Sequence, residues 1–160
     1  MVLDAFNILF VVTAVLANIS VSGIYISDRH KSMKFIRIFG IIFLSIGFPI
    51  ITVLIGYIIT GGYDWWIYVL LSYIIVFIIV QLMLDYILKS QFREKTVPHV
   101  IYIVFFYMFQ AALILIAFNI NDTCGYAVSI SFWVLLGALI YLLIGKQMDK
   151  RLKKENKESS

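Results

Sequence analysis

Residues 65–88 read WWIYVLLSYIIVFIIVQLMLDYIL, and only Ser72, Gln81 and Asp85 fall outside the apolar and aromatic set. Such a run has two physical readings. A barrel strand crosses a bilayer in about 10 residues and alternates polar with apolar. A spanning helix needs roughly 20 residues, nearly all apolar. The Ile and Val content suits either, so length and the lack of alternation decide for a helix. Backbone groups in hydrocarbon must also be bonded internally, and an unbroken run of this length does that only as a helix.

Outward from this stretch the pattern repeats. Apolar runs are expected to span residues 5–27, 35–60, 65–88, 100–120 and 126–144. Gly61-Gly62-Tyr63-Asp64 is a turn signal, and Asn121-Asp122-Thr123-Cys124-Gly125 reads as a tight polar turn. Pro98 marks a helix start or break. Pro49, inside the second run, is expected to bend it and free the carbonyl of Ser45. The first run reads as a retained span, since Met1-Val2-Leu3-Asp4 has no basic n-region and the run is too long for a signal h-region.

Composition leaves little room for anything else. The chain has 160 residues, 62% of them hydrophobic and 14% charged. A soluble domain of this size is about half apolar and cannot hide more. Residues 1–145 therefore read as a five-helix transmembrane domain, and 146–160 as a basic, disordered cytoplasmic tail.

The basic residues set both the count of spans and their direction. Arg29, Lys31, Lys34 and Arg37 follow the first span; Lys89, Arg93 and Lys95 follow the third; Lys146, Lys150, Arg151, Lys153, Lys154 and Lys157 follow the fifth. Together these are all 13 Lys and Arg. Asp4, Asp64 and Asp122 mark the other side. Five spans place every basic segment on one face, which the positive-inside rule makes cytoplasmic, with the N-terminus outside. Tyr63, Trp65 and Trp66 suit the outer headgroup layer, and Tyr86 and Phe92 the inner one.

The expected fold is thus an all-α integral membrane bundle of five transmembrane helices, multi-pass in the cell membrane. Lipid gives apolar faces no reason to pair, so small and polar residues are the candidates for helix packing. These are Gly40, Gly47 and Gly56 in the second span, with Thr52 and Thr60 beside Gly56, and Ser129 and Gly137 in the fifth. Asn7, Ala14, Asn18 and Ser22 fall near one face of the first.

Candidates for a ligand or ion pocket are few. Asp85 is the only acidic residue inside a predicted span, and ionisable residues there are expensive. Gln81, Asp85 and Lys89 lie at i, i+4 and i+8, on one helix face, near the inner boundary. A pairing of Asp85 with snorkelling Lys89 competes with a polar pocket built on Asp85 and Gln81. Gln110 sits mid-span among aromatics and needs a partner, for which Asn18, Thr52 and Ser131 have suitable depth. Arg29, Lys31, Lys89, Arg93, Lys150 and Arg151 are candidates for lipid headgroups.

No catalytic constellation is legible. His30 and His99 share the cytoplasmic side with Asp28 and Glu94, without a metal-ligand spacing. Cys124, the one cysteine, has no histidine predicted on its side to act as base. No phosphate loop, zincin motif or nucleophile elbow occurs. No metal and no cofactor are expected. The expected partners are membrane lipids, with a homo-oligomer or a larger membrane complex compatible with the small size, and no nucleic acid. The leading expectation is a non-enzymatic transport, channel or accessory subunit. The alternative is a membrane-embedded enzyme or binding protein for a lipid or other apolar ligand, with Asp85 and His30 or His99 as its acid and base.

Overall fold

The computed structural model of the chain describes residues 5–83 and 96–158, with side chains for 5–83, 102–148 and 151. Among the described residues every regular element is a helix: α1 (Ala5–Arg29), α2 (Met33–Ser45), α3 (Gly47–Thr60), α4 (Trp65–Leu82), α5 (Thr96–Ile120) and α6 (Asp122–Glu158). Five segments are long and apolar enough to cross a membrane: Ala5–Arg29, Met33–Thr60, Trp65–Leu82, Tyr102–Ile120 and Asp122–Met148. Large apolar side chains point outward along them, with Phe48 76% and Ile59 78% exposed. A water-soluble protein does not leave faces of that size bare.

Each break among the described residues has a local cause. Proline has no N–H, so Pro49 cannot bond the carbonyl of Ser45. The second span accordingly divides at Ile46, where α2 closes with an Ile46 N–H bond to the Phe43 carbonyl at 3.3 Å. Pro49 then falls in the first turn of α3, where a missing N–H costs nothing. Gly61 and Gly62 take φ values of 65° and 85°, which only glycine adopts freely, and turn the chain into α4.

The α1–α2 turn solves the same problem without glycine. Lys31 has φ 55°. Ser32 N–H bonds the Ser27 carbonyl at 2.9 Å, and Lys31 N–H the Asp28 carbonyl at 3.1 Å. That pair of bonds is a Schellman motif, with a lysine in the left-handed position usually held by glycine.

One expectation is corrected. The polar turn at 121–125 shrinks to Asn121 alone, and α6 starts at Asp122. Asn121 is a helix cap: its side-chain oxygen accepts from Thr123 N–H at 3.1 Å, and its backbone carbonyl accepts from Gly125 N–H at 2.9 Å. Asp122 in the first turn adds a charge that suits the helix dipole. The backbone of residues 146–158 continues α6 to Glu158. Its Lys, Arg, Glu, Gln, Met and Leu are strong helix formers, and no Gly or Pro follows Gly145 to stop it.

α1 is the hub of the bundle. It packs against α2, α3, α5 and α6, while α4 packs on α3 and α5. Its buried residues include Asn7, Thr13, Ala14, Ala17, Asn18, Ser20, Ser22 and Ser27. Small side chains let neighbouring helices approach closely, and that contact, not water, drives association in lipid. Thr13, Ser20 and Ser22 bond carbonyls one turn back on α1 at 2.6, 2.7 and 2.7 Å, so their burial leaves no hydroxyl unsatisfied. Between α4 and α5 the filling is aromatic, with Phe77 stacked on Phe109 at 4.8 Å.

Candidate functional site

The hairpin of α5 and α6 sets a common depth for three polar side chains. Gln110 lies ten residues before the end of α5, and Ser131 nine residues after the start of α6. At 1.5 Å per residue both stand about 14–15 Å from the turn, close to the middle of a hydrocarbon core of about 30 Å. Asn18 of α1 joins this level, because its amide donates to the Ser131 hydroxyl at 2.7 Å. That hydroxyl donates in turn to the Val128 carbonyl at 2.7 Å. Asn18 is 0% exposed, Gln110 1% and Ser131 8%.

This mid-depth layer is incompletely bonded. The side-chain oxygen of Asn18 and both amide atoms of Gln110 have no hydrogen-bond partner among the described residues. Of the partners foreseen for Gln110, Ser131 serves Asn18 instead, and Thr52 is exposed and bonds the Phe48 carbonyl at 3.1 Å. An amide offers two donors and an acceptor, so Gln110 is equipped to hold a small neutral molecule by hydrogen bonds. It has no proton to give or take near neutral pH and does no acid–base chemistry.

The two ends of the bundle carry opposite signs. At one end Lys146 donates to Asp28 at 2.7 Å, joining α6 to α1 across an exposed ion pair. The Arg29 side chain lies against Gly145, and the His30 ring stands 6.3 Å from that of Tyr141. Arg29, Lys31, Lys34 and Arg37 cluster at this end of α1 and α2. At the other end Tyr57 donates to the Asn7 side-chain oxygen at 2.6 Å, and stacks on Tyr63 at 3.9 Å between ring centres. Tyr68 donates to the Tyr57 carbonyl at 3.1 Å, and the Trp66 indole to Asp64 at 3.3 Å.

The remaining candidates separate. Gln81 is buried on α4, while Asp85, Lys89 and Arg93 lie outside the described residues, as do the side chains of His99 and Lys150. Arg151 is exposed. Gly56 is buried against the Phe6 ring, and a methyl added at Gly47 would meet Ile78 at an ordinary van der Waals distance of 3.5 Å. Gly40 and Ser129 are half-buried. Gly137 contributes no close packing: a side chain there would meet nothing within 4 Å, because this face of α6 points outward. Cys124 is buried at 7% exposure, beneath the α5–α6 turn.

Sequence reading missed the Asp28–Lys146 pair and the Asn7–Tyr57 bond. Both join residues far apart in the chain, and the only signal was a polar atom near the end of an apolar run. No family model matches the chain, and neither a curated protein nor a solved structure shows significant similarity to it.

Proposed function

We propose that this chain is a non-enzymatic, multi-pass protein of the cell membrane that serves as a small transport or accessory subunit, with its N-terminus outside and its basic end in the cytoplasm. The observation that carries the reading is Gln110, buried at mid-depth with neither amide atom bonded among the described residues. Buried polar groups cost free energy when unpartnered, and such groups inside a membrane mark paths and sites more than scaffolding. The layer of Asn18, Ser131 and Gln110 is neutral, which suits the passage or binding of a small uncharged solute and not acid–base catalysis. The orientation rests on the gathering of Arg29, Lys31, Lys34, Arg37 and Lys146 at one end, and of Asp64 and Asp122 at the helix boundaries of the other. Lipids, a second copy or a larger complex are the partners this reading allows.

Proteoliposomes carrying the full chain, under gradients of glycerol or urea, test the reading together with crosslinking in the native membrane. Support is solute entry above that of empty vesicles that Gln110→Leu removes, or a stoichiometric membrane partner in the crosslinked product. Tight vesicles together with an uncrosslinked monomer would sink it. For direction, the buried Cys124 thiol is a poor reporter. Exposed Thr123, changed to Cys in a Cys124→Ala background, should react with an impermeant maleimide on intact cells. Labelling confined to inverted vesicles would reverse the orientation.

A further inference from the structure

We infer that α2 carries a binding site for one anionic phospholipid, with its phosphate between Lys34 and Arg37 and an acyl chain along Ile38 and Ile41. A groove on this helix is lined by Met33, Lys34, Arg37, Ile38 and Ile41. These positions recur at i, i+1, i+4, i+5 and i+8, so they form one stripe along the helix. The stripe is polarised along its length. Both cations sit within the first five residues of α2, and the apolar positions Ile38 and Ile41 follow, 42% and 52% exposed. A phospholipid has the same order, an anionic head followed by hydrocarbon.

The neighbouring charges do not compete for this role. Lys146 is taken by Asp28 at 2.7 Å, and Arg29 lies against Gly145. Lys34 and Arg37 make no hydrogen bond or ion pair among the described residues. The helix start adds to the complementarity, since Ser32 makes no side-chain cap bond and the first-turn N–H groups point toward the same end. α2 is also the least buried part of the bundle: Phe43 is its one buried residue, so the stripe stays open to lipid. This site differs from diffuse attraction to the basic loops in having two fixed cations above an apolar track.

The proposal rests on the membrane placement above. Its test is native mass spectrometry of the full chain released from nanodiscs of mixed palmitoyl-oleoyl phosphatidylglycerol and phosphatidylcholine. The chain should retain the phosphatidylglycerol with a preference on the order of thirtyfold, the product of two basic groups at an anionic headgroup. Lys34→Gln with Arg37→Gln should remove most of it, while Lys154→Gln with Lys157→Gln, equal in charge, should leave it. Millimolar inorganic phosphate should not displace the lipid, because it lacks the acyl chain. Absence of preference, equal loss in both double variants, or displacement by phosphate each overturns the site. Both target residues are exposed, and matching thermal unfolding of the variants guards against misfolding. Failure of the chain to enter nanodiscs would instead overturn the membrane placement itself.

Discussion

Replacing Gln110 by Met should make the bundle more stable, and the sign of that change tests the central feature of the site. Gln110 is 1% exposed, and neither amide atom has a hydrogen-bond partner among the described residues. A buried group left unbonded costs about 1–3 kcal/mol in water-based measurements, so two atoms carry a gross penalty of about 2–6 kcal/mol. Much of that penalty persists in the unfolded state within the membrane or micelle, which also offers poor partners. We therefore keep about 2 kcal/mol of it, in line with the small net values of polar contacts in membranes. Met keeps the unbranched stem but replaces the forked amide end by a thioether and methyl, and the changed shape costs about 1 kcal/mol. The expected outcome is a net gain of about 1 kcal/mol. The assay is unfolding of the full chain in mixed micelles with rising dodecyl sulfate, followed by the fluorescence of its 3 Trp residues. The same variant should lose any solute entry that the wild-type chain supports, since a site built for binding is often bought with stability. A loss of 1 kcal/mol or more would refute the reasoning, because it would mean that the amide already holds a bond.

Other perturbations probe the frame around this layer. A double-mutant cycle of Asn18→Ala and Ser131→Ala, read by the same micelle unfolding, should give a coupling of about 0.6 kcal/mol and at most about 1.7 kcal/mol; no coupling would mean that the 2.7 Å contact is not formed in the membrane. Gly56→Ala should destabilise by about 1–3 kcal/mol, because a methyl there would stand 2.5–2.7 Å from three ring atoms of Phe6. Trimming the ring with Phe6→Leu should relieve most of that loss, and an unconditional gain from Gly56→Ala would contradict the close α1–α3 packing. Lys31→Gly should stabilise by roughly 0.5–1 kcal/mol, since φ 55° strains an L-residue by about 1–2 kcal/mol and glycine returns part of this through the unfolded chain. A destabilised Lys31→Gly chain would show that the lysine side chain contributes more than its backbone costs.

The number of spans and their helical type were legible in the sequence, because an apolar run of about 20 residues has one way to bond its backbone in lipid. The grouping of Arg29, Lys31, Lys34, Arg37 and Lys146 at one end was legible for a similar reason: a basic side chain placed beside a span has few depths open to it. Local stops followed the same logic where a single residue carries the cause, as with Pro49 and the Gly61-Gly62 turn. Where two local signals competed, the reading went astray. Asn121 to Gly125 looked like a five-residue turn, but an Asn cap and an Asp in the first helical turn favour starting α6 at once. In the tail, charge and helix propensity pull in different directions, and α6 runs on to Glu158.

Which residues meet was decided by tertiary structure. Asn18, Gln110 and Ser131 were each visible as polar atoms in apolar runs. That Ser131 bonds Asn18 and leaves Gln110 without a bond depends on how α1, α5 and α6 rotate against one another. Helix rotation is set by side-chain packing across interfaces, and no hydropathy pattern in an all-apolar helix encodes it. The same holds for Gly56, which packs, and Gly137, which does not, although both are small residues in long apolar runs. The sequence by itself determined that this chain is built from five apolar spans, with its Lys and Arg in three blocks beside them. Only the fold decided which of its few polar side chains are satisfied, because in lipid the driving force for association is local fit and not exclusion from water.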